Sequence, residues 1–162
     1  RAVVPIENSS TGAIAAVYDL LGQYGFHIVG EQYVRVRHCL LAKKEAELSD
    51  IREVVSHEQG ISQSLEFLGQ HPEWLRRPVY NTAAAAKMAA ESEGLRLAAI
   101  ASRRAAECYG LKILAVDINS RSRNYTRFVI VSRDPDYEEG SGKVSIAFNL
   151  PHVVGSLCGW RF

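Results

Sequence analysis

Polar side chains that could bind a small carboxylate ligand gather at turns in this sequence, each beside a predicted strand end. The groups comprise Glu7, Asn8, Ser9 and Ser10; Ser56, His57, Glu58 and Gln59, followed by Gln63; Asn81 and Thr82; and Asn124, Tyr125, Thr126 and Arg127. Neutral amides and hydroxyls, together with exposed backbone N–H groups at helix starts, make a good cradle for a carboxylate. Ordinary helix capping is the competing interpretation, above all for Ser9, Thr82 and Ser102.

Metal, nucleotide and hydrolase motifs are missing from the sequence. It contains no Walker glycine loop, GxGxxG fingerprint, HExxH pair or paired-cysteine metal motif, so we expect no metal and no cofactor. His38 and Cys39 are adjacent, but neighbouring strand residues point to opposite faces, which favours a core histidine and a buried thiol. Ser56 and His57 are not favoured as nucleophile and base, since no GxSxG turn surrounds them.

The amino-acid composition limits the kinds of partner and the cellular location that we expect for the chain. Lys and Arg total 19 and Asp and Glu total 18, so the net charge of +1 gives no field that would attract nucleic acid or an anionic membrane. The odd number of cysteines, with no CxxC spacing, predicts a reducing, cytoplasmic location. No apolar run approaches the ~20 residues of a membrane span, and the first residues lack the regions of a signal peptide.

Strand and helix patterns alternate along the chain. The predicted strands cover residues 1–6, 27–41, 53–55, 79–80, 97–101, 111–116 and 128–131. The predicted helices run from Ile14 to about Gly25, from Ser56 to before Pro72, over 83–91 after a cap at Asn81 or Thr82, and over 103–109 between Ser102 and Gly110. Such alternation, with connections too long for hairpins, predicts an α/β architecture with a largely parallel sheet.

Several motifs, taken in order, resemble successive signatures of the prephenate dehydratase family. They are VPIENSSTG (4–12), YDLL (18–21), IVGE (28–31), HCLL (38–41), SHEQ (56–59), NTAAAA (81–86), AAIAS (98–102), AAECYGL (105–111) and NYTRF (124–128). The triplet of Thr126, Arg127 and Phe128 is the most telling of them. The resemblance covers residues 1 to about 131, which we assign to the catalytic domain.

The resemblance implies a fold like that of type II periplasmic binding proteins, with two α/β lobes and the substrate in the cleft between them. It implies conversion of prephenate to phenylpyruvate, water and carbon dioxide, in a homo-oligomer that needs no redox cofactor. The residues that it carries over as catalytic are Thr126, Glu7 and Asn8. Those that it carries over as substrate-binding are Ser56, Gln63, Thr82, Asn81 and Arg127, with Phe128 packing the cleft wall.

The end of the chain resembles a second domain. Residues 132–142 have the composition of a linker, and residues 143–162 look like the first strand and helix start of an ACT regulatory domain. Gly155, Ser156 and Leu157 match part of its phenylalanine-binding loop, so the resemblance implies phenylalanine as an effector of the complete protein.

Two departures from the family pattern shape further expectations. Nothing before Arg1 corresponds to the family's opening strand, turn and helix, and Asn81 stands where the family usually has serine. From the first departure we expect an incomplete first lobe and weak dehydratase activity in this chain alone. Because only the start of the ACT domain is present, we also expect weak phenylalanine control of this chain. Shortening at both ends predicts self-association through a strand edge near Val3 and apolar surface near Phe148. Two alternatives stay open, namely a non-catalytic module of that family that binds a carboxylate or an amino acid, and an arogenate dehydratase.

Overall fold

The computed structural model of the chain describes residues 1–121 and 123–136. In chain order the elements are β1 (Ala2–Asn8), β2 (Gly12–Ala13), α1 (Ala15–Tyr24), β3 (His27–Arg35), β4 (Cys39–Ala42), a 3₁₀ turn (Leu48–Asp50), β5 (Glu53–Ser56), α2 (Glu58–Ser62), α3 (Leu65–Leu68), β6 (Leu75–Pro78), α4 (Thr82–Glu91), β7 (Leu97–Ala101), α5 (Arg103–Tyr109), β8 (Lys112–Ala115) and β9 (Tyr125–Ser132). The predicted ACT segment, with Gly155, Ser156 and Leu157, lies outside the described residues.

The chain divides into two compact units. Of the described residues, the first comprises 1–34 and 125–136, and the second comprises 35–121 with 123 and 124. In the first unit the strands form a sheet in the order β2-β1-β9-β3, and β1 runs antiparallel to both β2 and β9. Helix α1 covers this sheet because Leu21 is buried in one cluster with Ile6, Val129 and Val131.

The second unit is built on a sheet in the order β6-β5-β7-β4-β8. Every residue of β4 is buried, as are the last four residues of β7, which is the pattern of central strands with both faces covered. Side chains alternate between two cores: Leu40 and Ile100 belong to one cluster, and Leu41 and Ala99 to the other. Helices α4 and α5 cover the second of these faces with small alanine side chains.

Most predicted elements are confirmed, and local chemistry fixes their ends. Helix α1 ends at Gly25 and helix α5 at Gly110, both of which adopt the left-handed conformation, with φ of 61° and 66°. At the other end of α5, the Ser102 hydroxyl accepts a hydrogen bond from the Ala105 N–H, as expected of a cap.

Four expectations were wrong. The single extended strand over residues 27–41 is two strands, β3 and β4, because the chain leaves one sheet near Val36 and enters the other at Cys39. The helix predicted from Ser56 is two short helices, capped first by His57, and the strand predicted at 79–80 lies earlier, where β6 pairs with β5.

The fourth wrong expectation concerns strand direction. β5 is parallel to β6 and β7, but β4 is antiparallel to β7 and β8, so the second sheet is mixed. The reason is that only a 3₁₀ turn lies between β4 and β5, so no crossover helix returns the chain to the same direction, and the alternation that predicts parallel strands breaks at that point.

Candidate active site

Asn8 and Thr126 form a hydrogen-bonded pair in the first unit. They are direct partners in the antiparallel ladder between β1 and β9, and both are half-buried. The Asn8 Nδ2 atom donates to Thr126 Oγ1 over 3.0 Å. The threonine oxygen is thus an acceptor in this contact, and the hydroxyl hydrogen is left to be donated elsewhere.

A β-bulge brings these two residues together. The register shifts between Pro5 and Glu7, so that Ile6 is the extra residue on β1 and Asn8 falls opposite Thr126. With an unbroken register Asn8 would pair one residue earlier on β9, and its side chain would meet a different partner. The bulge therefore determines which hydroxyl the Asn8 amide reaches.

The Asn8 side chain is fixed from its other end as well. Its Oδ1 atom accepts from the backbone N–H groups of Ser10 at 2.8 Å and Thr11 at 3.2 Å, which closes the turn after β1. Across the ladder, the Ser9 hydroxyl accepts from the Tyr125 N–H at 2.9 Å, and the Ser9 N–H donates to the Tyr125 carbonyl at 2.9 Å. With its oxygen held by the turn, the Asn8 amide presents its NH₂ group to Thr126.

Arg127 is held by two carboxylates. Its guanidinium lies 2.8 Å from Glu31 Oε2 on β3 and 3.8 Å from Glu7 Oε2 on β1, and it lies over the Tyr33 ring. The hydrogen bond to Glu31 raises the pKa of Arg127. Because successive strand residues point to opposite faces, Arg127 lies on the face opposite Thr126. Its contacts make it a cross-strand link in the first unit.

Gln63 lies at the centre of a polar cluster in the second unit. Its Oε1 atom is 2.9 Å from His38 Nε2 and accepts from Asn124 Nδ2 at 2.9 Å. His38 and Asn124 are buried, and Gln63 is half-buried. Burial lowers the pKa of His38, and the hydrogen bond to Gln63 opposes this effect only in part. The His38 ring is consequently neutral at pH 7.

Ser56 is placed in the interior of the second unit. The residue has no exposed surface, and its hydroxyl donates to the Ile100 carbonyl at 2.7 Å. A Cβ atom at Gly60, on the first turn of α2, would collide with this hydroxyl. The geometry thus gives Ser56 a role in joining β5 and α2 to β7, and a direct contact with substrate does not follow from it.

Asn81 and Thr82 begin helix α4. The Asn81 Oδ1 atom accepts from the Ala84 N–H at 2.7 Å, which makes Asn81 the cap and Thr82 the first helical residue. Asn81 is exposed and Thr82 is half-buried, with its methyl group on the Gly60 side. Of the remaining predicted site residues, Glu7 is exposed, and Phe128 is half-buried opposite Pro5 in the ladder.

Two residues with clear site contacts, His38 and Glu31, had no predicted site role, whereas Asn124 was predicted only as one of the polar residues at the turn before β9. Little in the sequence indicated a site role for His38 or Glu31, because a polar residue within an apolar strand pattern is normally interpreted as part of the core. Within residues 1–121 and 123–136, no group of His, Cys, Asp and Glu could hold a metal ion.

An apolar groove of about 590 Å³ lies in the first unit, lined among others by Val17, Leu21, Tyr24 and Phe26. None of the predicted site residues lines this groove, so it is distinct from both polar clusters. In the part of the chain that the structure describes, no helix has the length and apolar character needed to traverse a membrane.

Comparison with known proteins identifies the family. The family model described as prephenate dehydratase matches residues 1–136. The chain is 43% identical to arogenate dehydratase/prephenate dehydratase 2 of Arabidopsis thaliana, described as chloroplastic, over 97% of this chain and 42% of that protein. It is 41% identical to the bifunctional chorismate mutase/prephenate dehydratase of Escherichia coli (strain K12), over 82% of this chain and 34% of that protein.

A solved structure gives the same result. Prephenate dehydratase from Arthrobacter aurescens, in complex with L-Phe, matches with a TM-score of 0.74 and 33% identity over 83% of this chain and 46% of that chain. This match confirms the predicted α/β fold class of the periplasmic-binding-protein type. The chain spans less than half the length of each of these relatives. Since the family model covers most of the sequence, the chain belongs to the prephenate dehydratase family.

Proposed function

We propose that the chain carries catalytic residues of a dehydratase that converts prephenate to phenylpyruvate. The family membership supports this proposal, and the observation that carries it is the hydrogen bond from Asn8 to Thr126 Oγ1. Among proposed site contacts, this one alone prepares a neutral hydroxyl donor for a leaving group.

The reaction needs little from the protein beyond orientation and one good donor. The bond between the ring and its carboxylate breaks, its electron pair enters the ring, and the ring hydroxyl leaves with the electrons of its own bond. The products are carbon dioxide, hydroxide that becomes water, and an aromatic ring whose stability drives the step. The enzyme must hold the two carboxylates and stabilise the departing hydroxide.

Thr126 fits the part of the donor to the leaving hydroxide. A threonine hydroxyl is far too weak an acid to transfer its proton outright, so it would act through a hydrogen bond that strengthens as charge develops. Asn8 occupies an oxygen lone pair of Thr126, which directs the hydroxyl hydrogen away from Asn8. Such a donor acts on the transition state more than on the bound substrate.

Neutral groups suit the carboxylate that leaves. A positive clamp on it would oppose its loss, whereas the amide of Gln63 and the hydroxyl of Thr82 would bind it without that penalty. We assign Ser56 and Asn81 supporting parts, because one donates into β7 and the other caps α4. Arg127 and Glu7 support β9 and β1 through their ion pair, and Phe128 is assigned to packing.

The test is an assay of the complete protein with prephenate and, separately, with arogenate, because we expect this chain alone to have weak dehydratase activity. Phenylpyruvate from the first or phenylalanine from the second, lost in Thr126→Ala and kept in Ser49→Ala, supports the dehydratase. Ser49 is an exposed hydroxyl outside both polar clusters, which makes it a matched control. Binding of prephenate without turnover would favour the carboxylate-binding module instead. The ratio of the two rates decides between prephenate and arogenate, both of which the Arabidopsis relative's name includes.

Regulation, assembly and location form a separate part of the proposal. The Arthrobacter relative is described in complex with L-Phe, and on that basis we propose phenylalanine as an effector of the whole protein. We also propose a homo-oligomer in a cytoplasmic location, although the Arabidopsis relative is chloroplastic. Calorimetry of the whole protein with phenylalanine tests the first, and absence of heat would refute it. Sedimentation of the chain tests the second, and a strictly monomeric profile would refute it.

A further inference from the structure

Two polar side chains of the second unit, His38 and Asn124, contact one side-chain oxygen atom of Gln63. His38 Nε2 lies 2.9 Å from Gln63 Oε1, and Asn124 Nδ2 donates to the same oxygen over 2.9 Å. His38 is 7% exposed and Asn124 is 2% exposed, whereas Gln63 is half-buried. We call His38, Gln63 and Asn124 the amide clamp.

The loop after β8 fixes two members of the clamp through the backbone. The His38 N–H donates to Asn119 Oδ1 at 2.8 Å, and the Ile118 N–H donates to the His38 carbonyl at 3.0 Å. The Ser120 N–H donates to the Gln63 carbonyl at 2.7 Å. Because neighbouring positions of one loop hold both residues, the His38 ring and the Gln63 amide have little freedom to separate.

The shared oxygen fixes the protons of the clamp. An amide oxygen only accepts, so His38 Nε2 must carry its hydrogen to make this contact, and Asn124 fills the second lone pair. With the oxygen turned towards His38 and Asn124, the Gln63 NH₂ group points the other way. Among the described residues, no hydrogen bond uses Gln63 Nε2, so both of its N–H groups remain to be donated.

The three side chains could occupy the same positions with the oxygen and nitrogen of the Gln63 amide exchanged. If the Gln63 amide turned over, its NH₂ group would donate to His38 Nε2 and to the Asn124 oxygen, and its own oxygen would face outwards. That arrangement requires the histidine tautomer with hydrogen on Nδ1. Since burial keeps the His38 ring neutral, the tautomer distinguishes the two arrangements.

We propose that His38 and Asn124 are positioning residues, which hold the Gln63 amide with its NH₂ group outwards as a donor to a carboxylate. The identity of that carboxylate, as part of prephenate, rests on the proposed function; the orientation of the amide does not. Neither His38 nor Asn124 contacts the ligand in this scheme. Their role is to fix the orientation of the Gln63 amide, so that its NH₂ group and not its oxygen faces the ligand.

The first test needs no ligand. Nitrogen-15 NMR of the labelled chain at neutral pH reports which ring nitrogen of His38 carries hydrogen, with His38→Gln used to assign the signals. We expect hydrogen on Nε2. Hydrogen on Nδ1 would overturn the inference, whatever the chain does with prephenate.

The second test compares variants by titration with prephenate. His38→Leu removes the donor and should weaken binding about tenfold, whereas His38→Gln keeps an N–H near the Nε2 position and should stay within about threefold of the parent. Gln63→Glu keeps an inward oxygen but loses the outward N–H groups, so it should weaken binding by about 10- to 100-fold. The matched control is His27→Gln, an exposed histidine of the first unit, which should bind as the parent does.

The outcomes separate the inference from the proposed function. Weak binding in His38→Leu and recovery in His38→Gln support the positioning role, and equal binding in all variants overturns it. If His38→Leu does not fold, the tautomer of His38 decides the positioning role, because Gln63→Glu keeps both inward bonds and tests only the outward donor. A parent chain that binds no prephenate counts against the proposed function, and the tautomer of His38 then decides the inference by itself.

Discussion

The Asn8 amide donates to the Thr126 hydroxyl oxygen across the ladder between β1 and β9, over 3.0 Å. The two residues are 118 positions apart in sequence, and a bulge at Ile6 sets them opposite each other. Because the Asn8 oxygen is held by the turn at Ser10, the amide cannot rotate without losing those bonds as well. The Thr126 hydroxyl therefore accepts from Asn8 in a fixed direction and donates its hydrogen in another.

In the complete enzyme, Thr126→Ala should lower kcat by roughly 10² to 10³, the usual cost of one preorganised donor to a developing oxyanion. KM should change little, because the contact strengthens mainly in the transition state. Thr126→Ser keeps the hydroxyl and should keep much of the activity. Steady-state rates of phenylpyruvate formation measure both. If Thr126 only satisfies strand backbone, Thr126→Ala will leave kcat within a few-fold of the parent while costing ~1 kcal/mol of stability.

Asn8→Asp should impair turnover nearly as much as loss of the threonine hydroxyl. A carboxylate at this position accepts hydrogen bonds, so the Thr126 hydrogen would turn towards it and away from the substrate. The double variant Asn8→Asp with Thr126→Ala should be hardly slower than Thr126→Ala alone, since the two residues act as a unit. Additive losses in kcat for the two substitutions would show that Asn8 acts independently of Thr126.

Gly60→Ala should destabilise the second unit because the added methyl group collides with the Ser56 hydroxyl. Overpacking of this kind costs about 1–3 kcal/mol, which exceeds the ~0.5–1 kcal/mol that alanine gains over glycine in a helix. In a Ser56→Ala background the nearest remaining atom is the residue 56 Cβ at 3.4 Å, an ordinary contact. Denaturant unfolding should be measured for the parent, the two single variants and the double variant. The free energies of unfolding should show a coupling of about 1 kcal/mol or more between the two substitutions, and additive effects would refute the collision.

Asn81→Ala should lower the free energy of unfolding by about 1 kcal/mol, because it removes the cap that accepts from the Ala84 N–H. Asn81→Ser should restore most of that loss, since serine is also a good cap. Thermal or denaturant unfolding measures the effect. Should prephenate binding fall by tenfold in Asn81→Ser while stability is kept, Asn81 would contact the substrate as well as cap the helix.

Stability should decrease in acid partly through His38. Burial holds its pKa in the folded chain below the ordinary value of 6.5, so from about pH 6.5 downwards the unfolded chain binds a proton that the folded chain excludes. The free energy of unfolding should therefore fall with pH more steeply in the parent than in His38→Gln. Unfolding curves between pH 7.5 and 5 measure the difference, and parallel pH profiles would contradict a lowered pKa.

Short-range features of the fold followed from the sequence. The ends of α1 and α5 at Gly25 and Gly110, and the caps at Asn81 and Ser102, depend on residues within about one helical turn, where the pattern is explicit. The motif of Thr126 and Arg127 likewise identified the family before any geometry was known. Each of these features is specified by a few consecutive residues, so it can be predicted without knowing the tertiary structure.

The contacts of the candidate site were decided by tertiary structure. The pairing of Asn8 with Thr126 depends on a one-residue bulge, and residues 27–41 divide between two sheets although they read as one strand. Ser56 turns inwards because its hydroxyl finds the Ile100 carbonyl, which the sequence places 44 residues away. The sequence by itself determined the family, the residue types and the local caps. Only the folded chain decided which polar groups meet, because strand register and burial depend on contacts between distant segments that no local pattern encodes.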